Sequence, residues 1–365
     1  EDDNDEFPVI WPEAIYHHVG EPWGIGNYLT FDAGVLNLTR TDGRDSRRVH
    51  SRAGWHLPYT SRYGYLVELG ATLEADGYWV DEVDPDSPLV DPAETKSGFT
   101  GRIFPQLSAE LRYPFVQYSE RFTQLVEPIV AVIVGPEDPN PDLIPNEDSQ
   151  DFELDETNLF DPDRTTGIDR ADGGQRIDYG LEWSAYGPKG GAVSAFIGQS
   201  YQFSPAEDFA PGSGIEDERS DLVGRFDLVP IPELDLTYRF RLDSEDLAPH
   251  RNELQLRAGT PGLNLRLSYI FLDDETATQE FGDREEIYAR LRGQITDNLS
   301  GAIFARRDLE LDRFLSYGVG VTYENWCLAV GAELRREEFD DEEIDPETKF
   351  LLRVTFKTLG GIGNL

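Results

Sequence analysis

The chain has 365 residues, of which 71 are acidic and 32 basic, giving a formal charge of −39. That excess excludes nucleic acid as a partner, because phosphate recognition needs a basic face, and it excludes a surface helix on anionic lipid. No apolar run approaches the roughly 20 residues of a membrane-spanning helix, and the aromatic content of 16 Tyr, 20 Phe and 6 Trp is high.

With no methionine and no signal peptide at Glu1, the chain is expected to be a mature or excised piece of a longer product. One cysteine, Cys327, allows no internal disulfide framework.

Period-two alternation and turn residues predict about seventeen strands. In chain order they fall at 9–18, 27–41, 46–58, 61–79, 99–115, 120–134, 174–187, 191–202, 218–229, 232–243, 250–260, 262–272, 281–294, 297–309, 311–323, 325–338 and 347–358. The first, which contains Pro8 and Pro12, carries the weakest pattern. The clearest are those after residue 218. In Leu234–Leu242, Leu234, Leu236, Tyr238, Phe240 and Leu242 point one way, and Asp235, Thr237, Arg239 and Arg241 the other.

The connections switch between tight and long. Tight turns fall at Gly187–Gly190, Pro230–Pro232, Thr260–Gly262, Thr296–Asn298 and Tyr323–Asn325. Longer acidic connections fall at 80–98, 135–173, 203–217, 243–249, 273–280 and 338–346, and the short 308–312 connection is the exception. An outer-membrane barrel sorts its connections in this way, with short periplasmic turns and long extracellular loops. The expected fold is therefore all-β, a transmembrane antiparallel β-barrel. Tracing the alternation back from Leu365 starts the first strand on the extracellular side. Bacterial barrels have an even strand number with both ends periplasmic, so an odd number of strands is expected upstream, and residues 1–365 form the C-terminal part of a larger barrel.

Catalysis finds little support. The adjacent His17 and His18 face opposite sides of a strand, and neither His50, His56 nor His250 completes a zinc pattern. Glu153–Glu156 and Asp340–Asp345 lack the spacing of a calcium loop and are expected to be solvated, as is the loop acidity in general. The connection Gly135–Gly173 carries thirteen acids against Arg164 and Arg170, and its length marks it as functional or a cap. The sequon at Asn37 and the Gly24-Ile25-Gly26 stretch lie in strand and turn contexts that fit neither glycosylation nor nucleotide binding. No catalytic residue, metal site or cofactor is expected. Alternation turns Arg225, Arg239, Arg241, Arg257, Arg266, Arg290, Arg292 and Arg306 towards the lumen, a mixed-charge wall suited to water, sugars or phosphates, or to ordinary ion pairing. Cys327, after Trp326 at a periplasmic turn, has two readings that stay open: a packed small residue, or a thiol that pairs in the oxidising periplasm.

Pro105-Gln106, Leu125-Val126-Glu127-Pro128, Gly167-Ile168-Asp169-Arg170, Tyr179-Gly180, Arg47-Arg48-Val49-His50, Trp326-Cys327 and the terminal Val354–Gly363 together resemble the lipopolysaccharide-assembly outer-membrane protein (LptD) family, also called the organic solvent tolerance family. The resemblance implies a barrel of about 26 strands behind a periplasmic jellyroll. Its implied function is transport without catalysis, inserting lipopolysaccharide into the outer leaflet through the lumen and a lateral seam. A lipoprotein plug of the LptE type and a periplasmic Lpt bridge are the implied partners, beside outer-membrane lipid.

By position, the strand with Phe350, Leu352, Val354 and Phe356 would be one lip of the seam. Cys327 matches a family cysteine that bridges to the N-terminal domain; well-known members carry two adjacent cysteines there, whereas Trp326 stands beside a single one here. The alternatives are a general or substrate-specific porin and a secreted soluble glycan-binding β protein. Porins typically close on a terminal aromatic, whereas this chain ends Gly363-Asn364-Leu365.

Overall fold

The computed structural model describes residues 8–41, 43–82, 97–149, 152–203, 209, 212–273, 284–338 and 346–357. It is an all-β structure of 18 strands with no helix among the described residues. These are β1 (Val9–Val19), β2 (Tyr28–Thr39), β3 (Arg44–Thr60), β4 (Leu66–Glu82), β5 (Gly98–Arg112), β6 (Phe115–Tyr118), β7 (Thr123–Val134), β8 (Gln175–Tyr186) and β9 (Ala192–Gln202). There follow β10 (Leu222–Ile231), β11 (Leu234–Leu242), β12 (Pro249–Thr260), β13 (Leu263–Leu272), β14 (Arg284–Thr296), β15 (Leu299–Asp308), β16 (Arg313–Glu324), β17 (Leu328–Glu337) and β18 (Glu347–Phe356). All belong to one sheet, in which successive strands pair antiparallel, as in β2–β3, β4–β5 and β10–β11 through β17–β18. The chain divides into two compact units, residues 1–115, 126–182 and 198–221 in the first and 116–125, 183–197 and 222–365 in the second.

Seventeen strands are long; the eighteenth, β6, has four residues and was not anticipated. It arises because the predicted strand 99–115 stops at Arg112. Pro114 has no N–H to continue the ladder, and Tyr113 N already donates to Pro128 O at 3.2 Å. The weak first strand does form. It pairs with β2 from Val9 to Val19, and its register slips between Ile10 and Glu13, around Pro12. Strand β17 starts at Leu328, so Trp326 and Cys327 belong to the turn before it. After β7 the connections alternate between short and long, with 309–312 short on the long side; before it they do not, since 20–27 on the tight side is longer than 40–43 on the long side.

The faces of the sheet are inverted relative to a water-soluble protein. Along β5 the burial alternates: Ile103 is 74% exposed and Leu107 60%, while Arg102 is 4% exposed and Gln106 2%. Along this strand apolar side chains look out and charged ones are covered. In β16, Tyr317, Val319, Val321 and Tyr323 are exposed on one face, and Ser316, Gly318, Gly320 and Thr322 share the other. Exposed aromatics gather at strand ends: Trp23, Tyr63, Tyr118, Tyr186 and Trp326 at one set of connections, Trp79, Phe99 and Phe314 at the other. Two aromatic girdles flanking an apolar band are what a bilayer demands of a sheet. Replacing Ile103 with Arg is expected to cost about 2–4 kcal/mol in urea unfolding from lipid vesicles. A cost near zero would place this face in water.

Candidate functional site

In the first unit the long connection 135–174 folds back onto the polar face of the wall. Its neck is closed by Gly135 N donating to Gly174 O at 2.8 Å and Gly174 N to Pro136 O at 2.6 Å. A side chain on Gly173 would collide with Pro136 O and the Pro139 ring, so the neck admits only glycine there.

Three ion-pair clusters hold the loop. In the first, Arg102 of β5 donates through Nε to Asp76 of β4 at 2.8 Å, and through its terminal nitrogens to Asn140 Oδ1 at 2.8 Å and Ile168 O at 2.6 Å. Asp76 also meets His50 Nδ1 at 2.6 Å. Asn140 in turn exchanges two 2.9 Å bonds with the Ala171 backbone, as a strand neighbour would.

In the second cluster one nitrogen of Arg48 lies 2.6 Å from both Asp148 and Asp169. Tyr78 OH donates to Asp169 at 3.0 Å, and Arg40 grips Glu147 through both terminal nitrogens. Gly167, at φ 77°, sits where any Cβ would strike Asp148. In the third, Arg164 and Arg176 each reach Asp172 at 2.7 Å, and Arg176 also pairs with Asp178, which accepts from Ser200 Oγ at 2.5 Å. Gln106 donates to Pro162 O at 2.8 Å. Apolar packing adds to this: Tyr78 and Val80 of β4 bury Ile144, and Leu154 and Leu159 are fully covered.

This corrects the expectation that loop acidity is simply solvated. Asp169 and Asp172 are buried and paired, and Asp155 caps its own turn by accepting from Thr157 N and Asn158 N. The other acidic stretch, 340–345, and most of the terminal motif 354–363 lie outside the described residues. Several motifs that carry the family resemblance meet here although far apart in sequence: Arg48 and His50, Gln106, and Ile168-Asp169-Arg170. The sequence reading missed Arg40, Asp76, Arg102, Asp148 and Arg176. Their signal was a charge on the covered face of a strand, or an acid whose partner stands a hundred residues away.

Burial works to raise Asp148 and Asp172, but other forces outweigh it. Donation from the Asp169 and Ile168 amides and the charge of Arg48 hold Asp148 below the usual carboxylate value, and Arg164 and Arg176 do so for Asp172. Asp169 moves up, through burial and the neighbouring Asp148 charge.

In the second unit the polar face is a lattice of ion pairs within and between strands. Arg225 pairs with Asp227 at 2.7 Å, Arg239 with Glu253 at 3.6 Å, Arg306 with Glu286 at 2.5 Å, Arg335 with Glu333 at 2.7 Å, and Arg257 with Asp235. The register places the predicted arginines on one face, pairing Arg225 with Arg239 and running Arg257, Arg266 and Arg290 in one row. Arg292 lies opposite Asn264, and Arg241 is almost fully buried. Phe350, Leu352, Val354 and Phe356 share the exposed face of β18, whose register is with β17. Cys327 is half-buried and carries no disulfide among the described residues; Asn325 Oδ1 accepts from Cys327 N at 3.0 Å and Leu328 N at 2.9 Å. No group of three or more metal-ligating side chains occurs among the described residues.

A family model described as "LPS transport system D" (LptD) matches residues 1–299. The LPS-assembly protein LptD of Marinobacter nauticus is 27% identical over 96% of this chain and 44% of its own length, and that of Acinetobacter baumannii 23% identical over 97% and 44%. The chain thus spans less than half the length of these curated relatives. Among solved structures, the copper transporter OprC aligns with 90% of this chain and 62% of its own at 12% identity and a TM-score of 0.37. A mutant Rh. blastica porin aligns with 91% and 95% at 10% identity and a TM-score of 0.28.

Two outcomes are expected. Replacing Arg102 with Met leaves Asp76 without its guanidinium and removes three donors to the loop. It should cost about 3–5 kcal/mol and open 135–174 to protease, whereas adding Asp76→Asn should recover much of the loss. As for pH, lowered carboxylates give stability that is full above their unfolded value, about 3.9, and is lost as pH falls through the folded value. Asp148 and Asp172 behave so, while Asp169, being raised, takes a proton earlier without loosening the loop. Amide exchange in 152–172 should therefore stay slow from pH 7 to about 4 and speed up below. Acceleration already at pH 6 would contradict the assignment.

Proposed function

The chain belongs to the LptD family, and from that premise we propose that it is part of the wall of an outer-membrane β-barrel that moves lipopolysaccharide to the outer leaflet. The observation that carries the reading is, in a chain of this family, the segregation of the strands' side chains: an apolar face fit for lipid, and an opposite face of charges, paired and covered along β3–β5, fit for sugars. A general porin is not favoured by the match.

On this reading residues 1–365 contribute to a barrel longer than the chain. Arg225, Arg239, Arg241, Arg257, Arg266, Arg290 and Arg292 line the lumen. Strand β18, with Phe350, Leu352, Val354 and Phe356 on its exposed face, forms one lip of a lateral seam. Lipopolysaccharide arrives from a periplasmic Lpt bridge, and a lipoprotein of the LptE type fills the lumen. Cys327 forms a disulfide with a cysteine in the N-terminal domain, held ready at its turn by Asn325. The chemistry is vectorial movement of an amphiphile, for which the wall supplies two solvents, lipid outside and charge inside.

Depletion of the full-length protein is expected to lower surface lipopolysaccharide; unchanged surface levels would refute the reading. Replacing Cys327 with Ser should shift the full-length protein on non-reducing gels, and an unshifted band would return Cys327 to a packing role.

A further inference from the structure

Arg266 stands in a row of like charges. The register sets Arg257 directly opposite it on one side and Arg290 on the other. Directly opposed like charges destabilise a sheet, and at several points this face sets an acid beside a cation, as at Arg225–Asp227 and Arg306–Glu286. Around Arg266 no acid is placed. Its diagonal neighbours are Gln255, Gly259, Tyr288 and Arg292, and Asn264 and Ser268 flank it along its own strand. Arg266 makes no ion pair or hydrogen bond among the described residues.

The other cations of the row are only partly compensated. Arg257 has Asp235, but Arg290 reaches Glu333 only at 4.0 Å, and Arg292 donates to Ser300 Oγ at 3.1 Å. Glu324 is taken by Lys357. The ring of Phe304 lies beneath both Arg290 and Arg335, 5.5 and 5.3 Å from their guanidinium carbons, which draws Arg290 towards β15 while its backbone stays opposite Arg266. Arg266, Arg290 and Arg292 share one cleft of about 1040 Å³ with Asn264, Tyr288 and Ser300, near the tight turns 261–262 and 297–298; Lys357 and the acids Asp297 and Glu324 also line it, so its cations outnumber its acids by two.

We propose that Arg266, Arg290 and Arg292 form a binding site for a phosphate monoester, with Asn264, Tyr288 and Ser300 as neutral partners. Arg266 has no acid and Arg290 and Arg292 are only weakly compensated, and such a trio suits a ligand of nearly two negative charges and three acceptor oxygens better than a single carboxylate. The neutral groups around them suit the hydroxyls of a sugar. The unrelieved repulsion is the stability given up to keep the site open, and an incoming phosphate supplies the missing countercharge. The ligand is either the free ion or a phosphate carried by a sugar. Only the second source, a phosphate on the transported glycolipid, rests on the function proposed above.

The test uses the full-length protein in detergent micelles and phosphate-free buffer, titrated with inorganic phosphate and separately with a phosphorylated glucosamine. Melting temperature and direct binding are both read, with chloride at matched ionic strength as reference. Wild type should be stabilised by phosphate and not by chloride. Arg266→Gln should bind roughly tenfold more weakly, the loss of about one charge-assisted contact. Without ligand it should melt no lower than wild type, because a repulsion has been removed. Lys189→Gln, which removes one charge at the remote 187–191 turn, should bind as wild type does. Undiminished binding by Arg266→Gln, or a lower melting temperature without ligand, overturns the proposal. Binding of inorganic phosphate without the sugar phosphate overturns the glycolipid source and assigns the site to the free ion. Because the readouts are made on purified protein, failure here is distinct from unchanged surface lipopolysaccharide after depletion.

Discussion

A sheet that turns its apolar side chains outward must satisfy its charges on the inside, and the rest of this structure follows from that constraint. Buried charge without a partner is costly. The second unit meets much of the demand within the wall, placing acids two residues from arginines along a strand or opposite them across a pair. In the first unit the strands bring Arg48, Arg102 and Arg176 to the covered face, and an acidic connection supplies Asp148, Asp169 and Asp172 from above. The wall and the loop are therefore one electrostatic unit, and neither part is balanced alone.

The geometry of that interlock explains several local choices. Strands β3 and β4 run 17 residues each, and their outer parts carry the platform on which the loop sits, Arg48 on one and Tyr78 and Val80 on the other. Gly167 and Gly173 stand where the loop backbone crosses carbonyls and a proline ring too closely for a Cβ. Asn140 borrows the hydrogen-bond pattern of a strand to tie Ala171 while its oxygen also accepts from Arg102. Buried pairs of this kind add little net stability over an apolar core, but breaking one is expensive, so they fix one docked arrangement of the loop rather than merely strengthening it.

The wall was legible in the sequence because a strand's period is two and its faces meet different surroundings. Leu234–Leu242 shows its alternation directly, and Arg239 and Arg241 share one face of that strand. The same logic found seventeen long strands and missed only β6, where Pro114 ends a ladder that the hydrophobic pattern alone continues. The docked loop was not legible. An aspartate among thirteen acids gives no local sign of which arginine it will meet, and Arg48 and Asp169 are 121 residues apart. Charge count alone favoured solvated loops, because composition records how many acids there are and not whether the wall has turned cations towards them. The arginine row at Arg257, Arg266 and Arg290 was visible as a set of same-face residues, but its repulsion exists only once register aligns them.

The proposed function rests on which face of the wall would meet the sugars of an amphiphile. Photo-reactive amino acids placed singly at Asn264 and Leu265, neighbours on opposite faces near a tight turn, address this most directly in living cells. The account predicts that position 264 crosslinks lipopolysaccharide, whereas position 265, directed at the phospholipid leaflet, does not. Crosslinking of lipopolysaccharide at 265 with none at 264 would contradict it.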